Sequence, residues 1–351
     1  PPALSIHPPL INSSNPWATS LDDLRLLYAC PSTGAVTTRT SLIKGFAHDA
    51  AKHQYVGGGA VAGKNASINS LGYSPHTLET YLGFIKTISA EQQTVAPSSK
   101  KVFIVSVTGT PSEVAQCYTM IAAVANEVVF PLAMEVNLSC PNIEGKPPPA
   151  YGKGELVRYL EALQGVIDAR SDGDDGKPLL LPRIPFGLKA PPYTHSTEYD
   201  ILIGALAEHA TSLGERGEKR VSPVSFITST NTLGSCLLFA GGGDIDHDGG
   251  GGMDGVLTSF ALPGFGIGGM AGAPLHPLAL GNVATLRRRI LLEENREPLG
   301  HIQIIGIGGV SDADGYRRMR TVGAEVVGVG TGLLQKGLEV FGEIENGVGG
   351  R

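Results

Sequence analysis

Apolar, β-branched runs alternate with segments of helical period along most of the chain. The runs that predict strands lie at 34–38, 66–70, 102–109, 133–139, 186–190, 224–231, 302–309 and 326–332. Most of them are continuously apolar, which is typical of parallel strands that are buried on both faces.

Helical segments separate these runs. They lie near 76–88, 112–127, 154–169, 198–213, 277–294, 312–322 and 333–345. The stretch TPSEV at 110–114 places a proline and an acidic residue where a helix begins. Eight strands separated by helices predict an α/β fold, a single (β/α)8 TIM barrel over residues 1–351. Counting strands leaves a doubly wound sheet open as the competing arrangement.

Composition narrows the functional classes. The 351 residues are 42% hydrophobic, which suffices for one large core, and the net charge of −6 argues against a nucleic-acid partner. No apolar run has the length of a membrane span. The four cysteines form no CxxC pair, so neither a zinc nor a dithiol redox motif is predicted. We expect a reducing, cytoplasmic setting, and no signal peptide opens the printed chain.

A low-complexity insertion occupies about 240–255. Within it Asp244, Asp246 and Asp248, followed by Gly249, are similar to the opening of a calcium loop. The twelfth position of such a loop is Gly255 rather than a glutamate, so the ligand set is incomplete and we predict no metal site.

Polar residues and glycines close the predicted strands, and in a barrel the strand ends form the active site. These residues are Arg39, Thr40, Asn69, Ser70, Asn137 to Cys140, Lys189, Thr230 to Thr232, Gly308, Gly309, Gly330 and Thr331. The last two strands end in GIGG and GVGTG, whose backbone N–H groups could approach a phosphate. The alternative for each glycine pair is a simple turn, but two pairs on consecutive final strands favour a phosphorylated ligand.

Lys189 and Cys140 are the candidate reactive groups. A lysine at the end of an apolar strand needs a partner, either an ion pair at the barrel rim or an electron-rich cofactor ring. A free cysteine is often a small buried apolar residue, as we expect for Cys30 and Cys117. Cys140 differs because it follows a strand end in a polar loop, where a thiol could accept a proton if its surroundings lower its pKa.

Several motifs resemble one known family. These are SINSLG (67–72), NLSCPNIEGKPPPAYG (137–152), GLKAPPY (187–193), STNTLG (229–234) and the run IIGIGG…GVGTGLLQKG (304–337). They occur in the order found in the dihydroorotate dehydrogenases, and they look most like the soluble class 1A type. The resemblance extends from about residue 10 to 345, with gaps at the polar insertions.

The resemblance implies an FMN-containing barrel that oxidises (S)-dihydroorotate to orotate in pyrimidine biosynthesis. A base removes a proton from C5, and hydride passes from C6 to flavin N5. Cysteine is the base in the soluble class, so Cys140 would be catalytic. Fumarate would be the second substrate and the enzyme a homodimer without membrane or metal. A class 1B arrangement with an iron–sulfur partner chain is the alternative.

The family motifs also assign ligand contacts. The substrate-binding residues would be Arg39, Asn69, Leu71, Gly72, Tyr73, Asn137, Asn142, Asn231 and Thr232. The FMN-binding residues would be Ser14, Arg39, Thr40, Asn137, Lys189, Thr230, Gly272, Gly308, Gly309, Gly330 and Thr331. The loop 141–150 would cover the site and exclude water.

Three departures from the family pattern bear on the substrate. The usual NASG is NSSNPW at 12–17, Arg39 stands where the family has the lysine of TKS, and the GNPxPR stretch is replaced by residues 45–59. Arginine bonds differently from lysine because of its planar fork. The alternatives are therefore a family member acting on another cyclic amide, a weakly active paralogue, or a flavin-binding barrel without catalysis.

Overall fold

The computed structural model describes residues 1–57, 65–93, 100–140, 142, 147–168, 181–213, 219–239 and 260–349. Its strands, in chain order, are β1 (Leu10–Asn12), β2 (Ala35–Thr37), β3 (Tyr55–Gly57), β4 (Ala66–Asn69), β5 (Val102–Val107), β6 (Leu132–Asn137), β7 (Phe186–Ala190), β8 (Thr211–Leu213), β9 (Lys219–Val221), β10 (Phe226–Ser229), β11 (Leu233–Leu237), β12 (Ile267–Gly272), β13 (Gln303–Ile307) and β14 (Val326–Val329).

Eight of these strands close into a parallel barrel, in the order β1-β14-β13-β10-β7-β6-β5-β2. The register pairs Leu10 with Val327 on one side of β1, and Ile11 with Ala35 on the other side closes the ring. The predicted (β/α)8 barrel is therefore confirmed, and the doubly wound alternative is wrong.

One predicted barrel strand was wrong. The run at 66–70 forms β4, which pairs antiparallel with β12 and β3 in a separate sheet of order β11-β12-β4-β3. The missing barrel strand is β1, whose three residues are too short to stand out as an apolar run. The barrel is nevertheless complete because β1 lies between β14 and β2, with all three of its residues buried.

Helices surround the barrel at Leu21–Ala29, Leu78–Gln92, Pro111–Val124, Lys153–Asp168, Ser196–Glu208, His276–Ile290, Glu293–Leu299, Ala313–Thr321, Thr331–Lys336 and Glu339–Gly349. The predicted helix at 198–213 ends at Glu208, and the one at 333–345 is two helices separated by Gly337 at φ 61°. Helix Leu21–Ala29 was not predicted, although Ser20 and Asp23 form a capping box at its start. Within the described residues, no helix has the length and apolar character needed to cross a bilayer.

The core has two layers. Helices pack on the outside of the barrel around side chains such as Phe103, Met134 and Ile304. Side chains including Ile11, Ile104, Phe226 and Ile305 fill the barrel interior. Gly187 is required there, because a Cβ at this position would lie 2.3 Å from the Phe226 ring. This packing closes the lower barrel and leaves polar residues at the carboxyl ends of the strands.

Candidate active site

A cleft opens at the carboxyl ends of the barrel strands, between the barrel and residues of the β11-β12-β4-β3 sheet. It has about 970 Å³ of free space, part of it open to solvent, which is within the usual size of cofactor sites. Every residue that the sequence assigned to a ligand lines it: Ser14, Arg39, Thr40, Asn69, Leu71, Gly72, Tyr73, Asn137, Cys140, Asn142, Lys189, Thr230, Asn231, Thr232, Gly272, Gly308, Gly309, Gly330 and Thr331. Their individual roles stay predictions.

Two sheets supply these residues, the closed barrel and the neighbouring antiparallel sheet. Asn137 ends β6, Lys189 lies near the end of β7, and Thr230 directly follows β10. Asn69 and Gly272 come instead from the neighbouring strands β4 and β12 of the antiparallel sheet. The expectation that Asn69 follows a barrel strand was wrong, but the sheet brings it to the same cleft.

The Cys140 thiol is half-buried at this cleft. Burial raises its pKa above the ordinary value, while the backbone of Asn142 and the charges of Lys189 and Arg39 act in the opposite direction. The expected lowering of this pKa is therefore not present, because the loss of hydration outweighs the two cations. Tyr73 lies beside the same thiol, and burial raises the pKa of its phenol as well.

Two cations line this cleft, the buried Lys189 and the half-buried Arg39. The Lys189 side chain is 4% exposed, and no ion pair of Lys189 or Arg39 occurs among the residues that the structure describes. The predicted alternative of an ion pair at the barrel rim is therefore not found in that part of the chain. Arg39 donates one hydrogen bond, to the Gly72 carbonyl oxygen at 3.3 Å. Partly dehydrated cations with no carboxylate partner in the described part of the chain favour an anionic or electron-rich ligand.

Four asparagines of the cleft hold one another in place. The Asn142 amide donates to Asn69 Oδ1 at 3.0 Å and to the Leu71 carbonyl at 2.8 Å. The Asn231 amide donates to Asn137 Oδ1 at 3.3 Å, and that oxygen also accepts from the Ser139 N–H at 3.2 Å. These contacts fix the orientation of the amides before any ligand binds.

The glycine turns after β13 and β14 form a tight cradle. Gly308 and Gly309 have φ values of 137° and 70°, which favour glycine. A Cβ on Gly309 would lie 2.7 Å from the Gly272 carbonyl oxygen. Behind the turn, His276 Nδ1 bonds to the Gly308 carbonyl at 2.7 Å, and Arg318 Nε donates to His276 Nε2 at 3.1 Å. His276 therefore carries its proton on Nδ1.

Several lining residues escaped the sequence analysis: Ser13, Asn15, Pro16, Trp17, Tyr55, Ser67, Ala271, Leu275 and Ile307. Those at 13–17 follow β1, so recognising that strand would have found them. Tyr55 and Ser67 come from β3 and β4 of the sheet. The Tyr55 hydroxyl is buried beside the Ser67 side chain, at a position where a ligand could add a hydrogen bond.

Two predictions fall on residues outside the described part of the chain. The calcium-loop sequence at 244–255 lies wholly outside it, and the predicted covering loop 141–150 is described only at Asn142 and 147–150. Within the described residues, no group of three His, Cys, Asp or Glu side chains could hold a metal ion.

Sequence comparison identifies related proteins of known name. A family model described as dihydroorotate dehydrogenase matches residues 250–350. Dihydroorotate dehydrogenase A (fumarate) of Lactococcus lactis subsp. cremoris is 25% identical over 336 residues, covering 96% of this chain and 88% of the relative. Dihydroorotate dehydrogenase (fumarate) of Saccharomyces cerevisiae is 26% identical over 280 residues, covering 80% and 71%.

Structural comparison supports the same fold. The ligand-free dihydroorotate dehydrogenase of Eimeria tenella matches with a TM-score of 0.69 at 15% identity, covering 98% of this chain and 84% of that one. The same enzyme in complex with ferulenol gives a TM-score of 0.67 at 14% identity, covering 98% and 81%. At such low identity this likeness concerns the fold alone.

Proposed function

We propose that this chain is an oxidoreductase, distantly related to the class 1A dihydroorotate dehydrogenases, that uses FMN to oxidise (S)-dihydroorotate to orotate. The observation that carries the proposal is that Cys140, Lys189 and the two glycine turns line one cleft. A proton acceptor, a cation and a phosphate cradle are the groups that this reaction needs.

The residues of the cleft fit FMN. The turns at Gly308, Gly309, Gly330 and Thr331 would hold the phosphate through backbone N–H groups. At Gly308 and Gly309 a Cβ would lie 2.5 Å from Ala279 Cβ and 2.6 Å from His276 Cβ. Lys189 would lie against the ring, where its positive charge favours the electron-rich reduced state. When bound, FMN would supply the hydride acceptor, at its N5.

Cys140 would take the proton. Loss of hydride from C6 and of a proton from C5 leaves the C5–C6 double bond of orotate, so the proton needs an acceptor at the cleft. The Cys140 thiolate is that acceptor, and Lys189 and Arg39 both favour the thiolate form. Because burial raises the thiol pKa, the thiolate is a minor species near neutral pH in the free protein.

The remaining polar groups would hold the substrate. Arg39 would pair with the carboxylate, since its guanidinium has no carboxylate partner among the described residues. The asparagine pairs Asn137–Asn231 and Asn69–Asn142, with the neighbouring Leu71, Gly72 and Thr232, would contact the ring amides. In this proposal fumarate reoxidises the enzyme, which is a cytoplasmic homodimer of one-domain barrels in pyrimidine biosynthesis.

A second candidate is oxidation of a different cyclic amide. The Phe46 ring packs so closely on Gly72 that a Cβ there would lie 2.3 Å from it, and Phe46 also contacts Tyr73 at 5.8 Å between ring centroids. Phe46 belongs to residues 45–59, which replace the family's GNPxPR stretch. The substrate end of the cleft would therefore differ in shape from that of the family, which favours a different substrate.

Colour and anaerobic reduction test both candidates. Purified protein should be yellow and should release FMN on denaturation, and dihydroorotate should bleach it under anaerobic conditions. Yellow protein that stays oxidised would reject dihydroorotate and keep the second candidate, whereas colourless protein that does not take up added FMN would reject both. Cys140→Ser should slow bleaching by about 10²–10⁴-fold while FMN stays bound, and an unchanged rate would exclude Cys140 as the base.

A further inference from the structure

A buried carboxylate lies in the barrel interior, behind the cleft. Glu135 on β6 is 2% exposed and does not line the cleft. The described residues include no ion pair of Glu135. Glu135 accepts a hydrogen bond at 2.9 Å from Ser106 Oγ, and Ser106 is fully buried. A carboxyl group buried this deeply is costly, so its place in the barrel needs an explanation.

A chain of hydroxyl groups connects Glu135 to the cleft. Ser106 Oγ lies 2.9 Å from Thr40 Oγ1, which in turn lies 3.0 Å from Ser14 Oγ. Thr40 and Ser14 line the cleft, whereas Ser106 does not. The chain therefore runs from the carboxylate through two hydroxyls to a third at the ligand site.

An ionised Glu135 sets the direction of the hydrogens in this chain. The Ser139 N–H fixes Asn137 Oδ1 as an acceptor, so Asn137 Nδ2 donates to Thr40 Oγ1 at 3.0 Å. A carboxylate only accepts, so Ser106 donates to Glu135. Thr40 must then donate to Ser106, and Ser14 must donate to Thr40. All three hydroxyl hydrogens then point along the chain toward Glu135.

We propose that Glu135 is a positioning residue that, through Ser106 and Thr40, makes Ser14 a hydrogen-bond acceptor toward the bound cofactor and disfavours the reduced flavin. The inference rests on the proposed FMN site. Oxygen lone pairs at the cleft oppose the negative charge that a flavin gains on reduction, and they offset the cations Lys189 and Arg39. Glutamine at position 135 could donate to Ser106, so the chain would reverse and Ser14 would donate into the cleft.

The experiment measures the flavin midpoint potential in Glu135→Gln, Ser106→Ala and the double variant, together with FMN affinity and the melting temperature of FMN-free protein. In each single variant we expect the equilibrium between reduced and oxidised FMN to shift at least tenfold toward the reduced form. For a two-electron couple this raises the midpoint potential by about 30 mV. The double variant should not exceed the larger single shift, because both changes break one chain. Thr228→Val is the matched control: it removes a buried, unpartnered hydroxyl of the barrel outside the chain and should leave the potential unchanged.

The possible results distinguish a failure of the Glu135 role from a failure of the proposed FMN-dependent function. An unchanged midpoint potential in Glu135→Gln would overturn the role of the hydroxyl chain. A shift in Glu135→Gln that is absent in Ser106→Ala would also overturn it, because the effect would then come from the Glu135 charge alone. If Glu135→Gln does not fold, Ser106→Ala and Thr40→Val carry the same test. Protein that binds no FMN would overturn the proposed function and the role of the hydroxyl chain with it.

Discussion

The Arg39 guanidinium donates to the Gly72 carbonyl oxygen, and this bond joins a barrel strand end to the loop after β4. Arg39 is half-buried, and its partial loss of hydration lowers the pKa of its guanidinium. One donor of the fork thus positions the Gly72 loop, while other donors are available for an anion at the cleft.

Arg39→Met should therefore weaken the binding of an anionic substrate or product. Loss of a charge-assisted hydrogen bond costs about 1.5–3 kcal/mol, so the orotate dissociation constant should rise tenfold or more. The measurement is the perturbation of the flavin spectrum by orotate. Lys44→Met removes an exposed cation of the same segment and should leave binding unchanged. Equal affinity in the Arg39 variant would show that the guanidinium is only structural.

The pH dependence of flavin reduction should follow the Cys140 thiol. The thiolate is the active form, and burial raises the pKa of the thiol, so the rate should increase with pH and reach half its plateau above the ordinary pKa of a free cysteine. Lys189→Met should move the midpoint further up, since its charge favours the thiolate. The pH profile of Cys140 alkylation in FMN-free protein should likewise have a higher midpoint in Lys189→Met than in the parent. An alkylation midpoint below the ordinary cysteine pKa would contradict this reading of the site.

The barrel was predictable because most of its strands are buried on both faces. β5 and β6 are buried at every position, and both were recognised as apolar runs. β1 has only three residues, so its contribution depends on pairing with β14 and β2 rather than on any local pattern. β4 is buried at three of its four positions, like a barrel strand, and only its antiparallel partners remove it from the barrel.

Residues of the cleft were predictable where they belong to a recognisable sequence motif. Gly309 and Cys140 were found in this way, whereas Tyr55 reaches the cleft only through the β3–β4 pairing. Glu135 was overlooked because a charged residue inside an apolar strand carries no local sign of what it contacts. Its hydroxyl chain joins β6 to β5 and to the segment after β2, which are far apart in sequence.

Cys140 and Cys117 should differ in their reactivity toward alkylating reagents. Cys117 is buried in helix Pro111–Val124, and burial raises its pKa to about 12, so about 10⁻⁴ of it is thiolate at pH 8. Iodoacetamide at pH 8 should modify Cys140, which lines the cleft, well before Cys117, and orotate should protect Cys140. Peptide mass spectrometry measures both sites. Modification of Cys117 at a similar rate would mean that its helix opens readily or that its thiol is less buried than described.

The glycine cradle should not tolerate even one methyl group. Gly309 has φ 70°, and a Cβ there would lie 2.6 Å from His276 Cβ and 2.7 Å from the Gly272 carbonyl. Gly309→Ala should cost about 1–3 kcal/mol of stability and reduce FMN affinity at least tenfold, because the turn must move. Gly83→Ala is the control: Gly83 lies in helix Leu78–Gln92 with no atom within 4 Å of the new methyl, so a gain of roughly 0.5–1 kcal/mol is expected. Thermal unfolding and FMN fluorescence titration measure the two effects, and a Gly309→Ala variant that binds FMN like the parent would exclude this turn from the phosphate site.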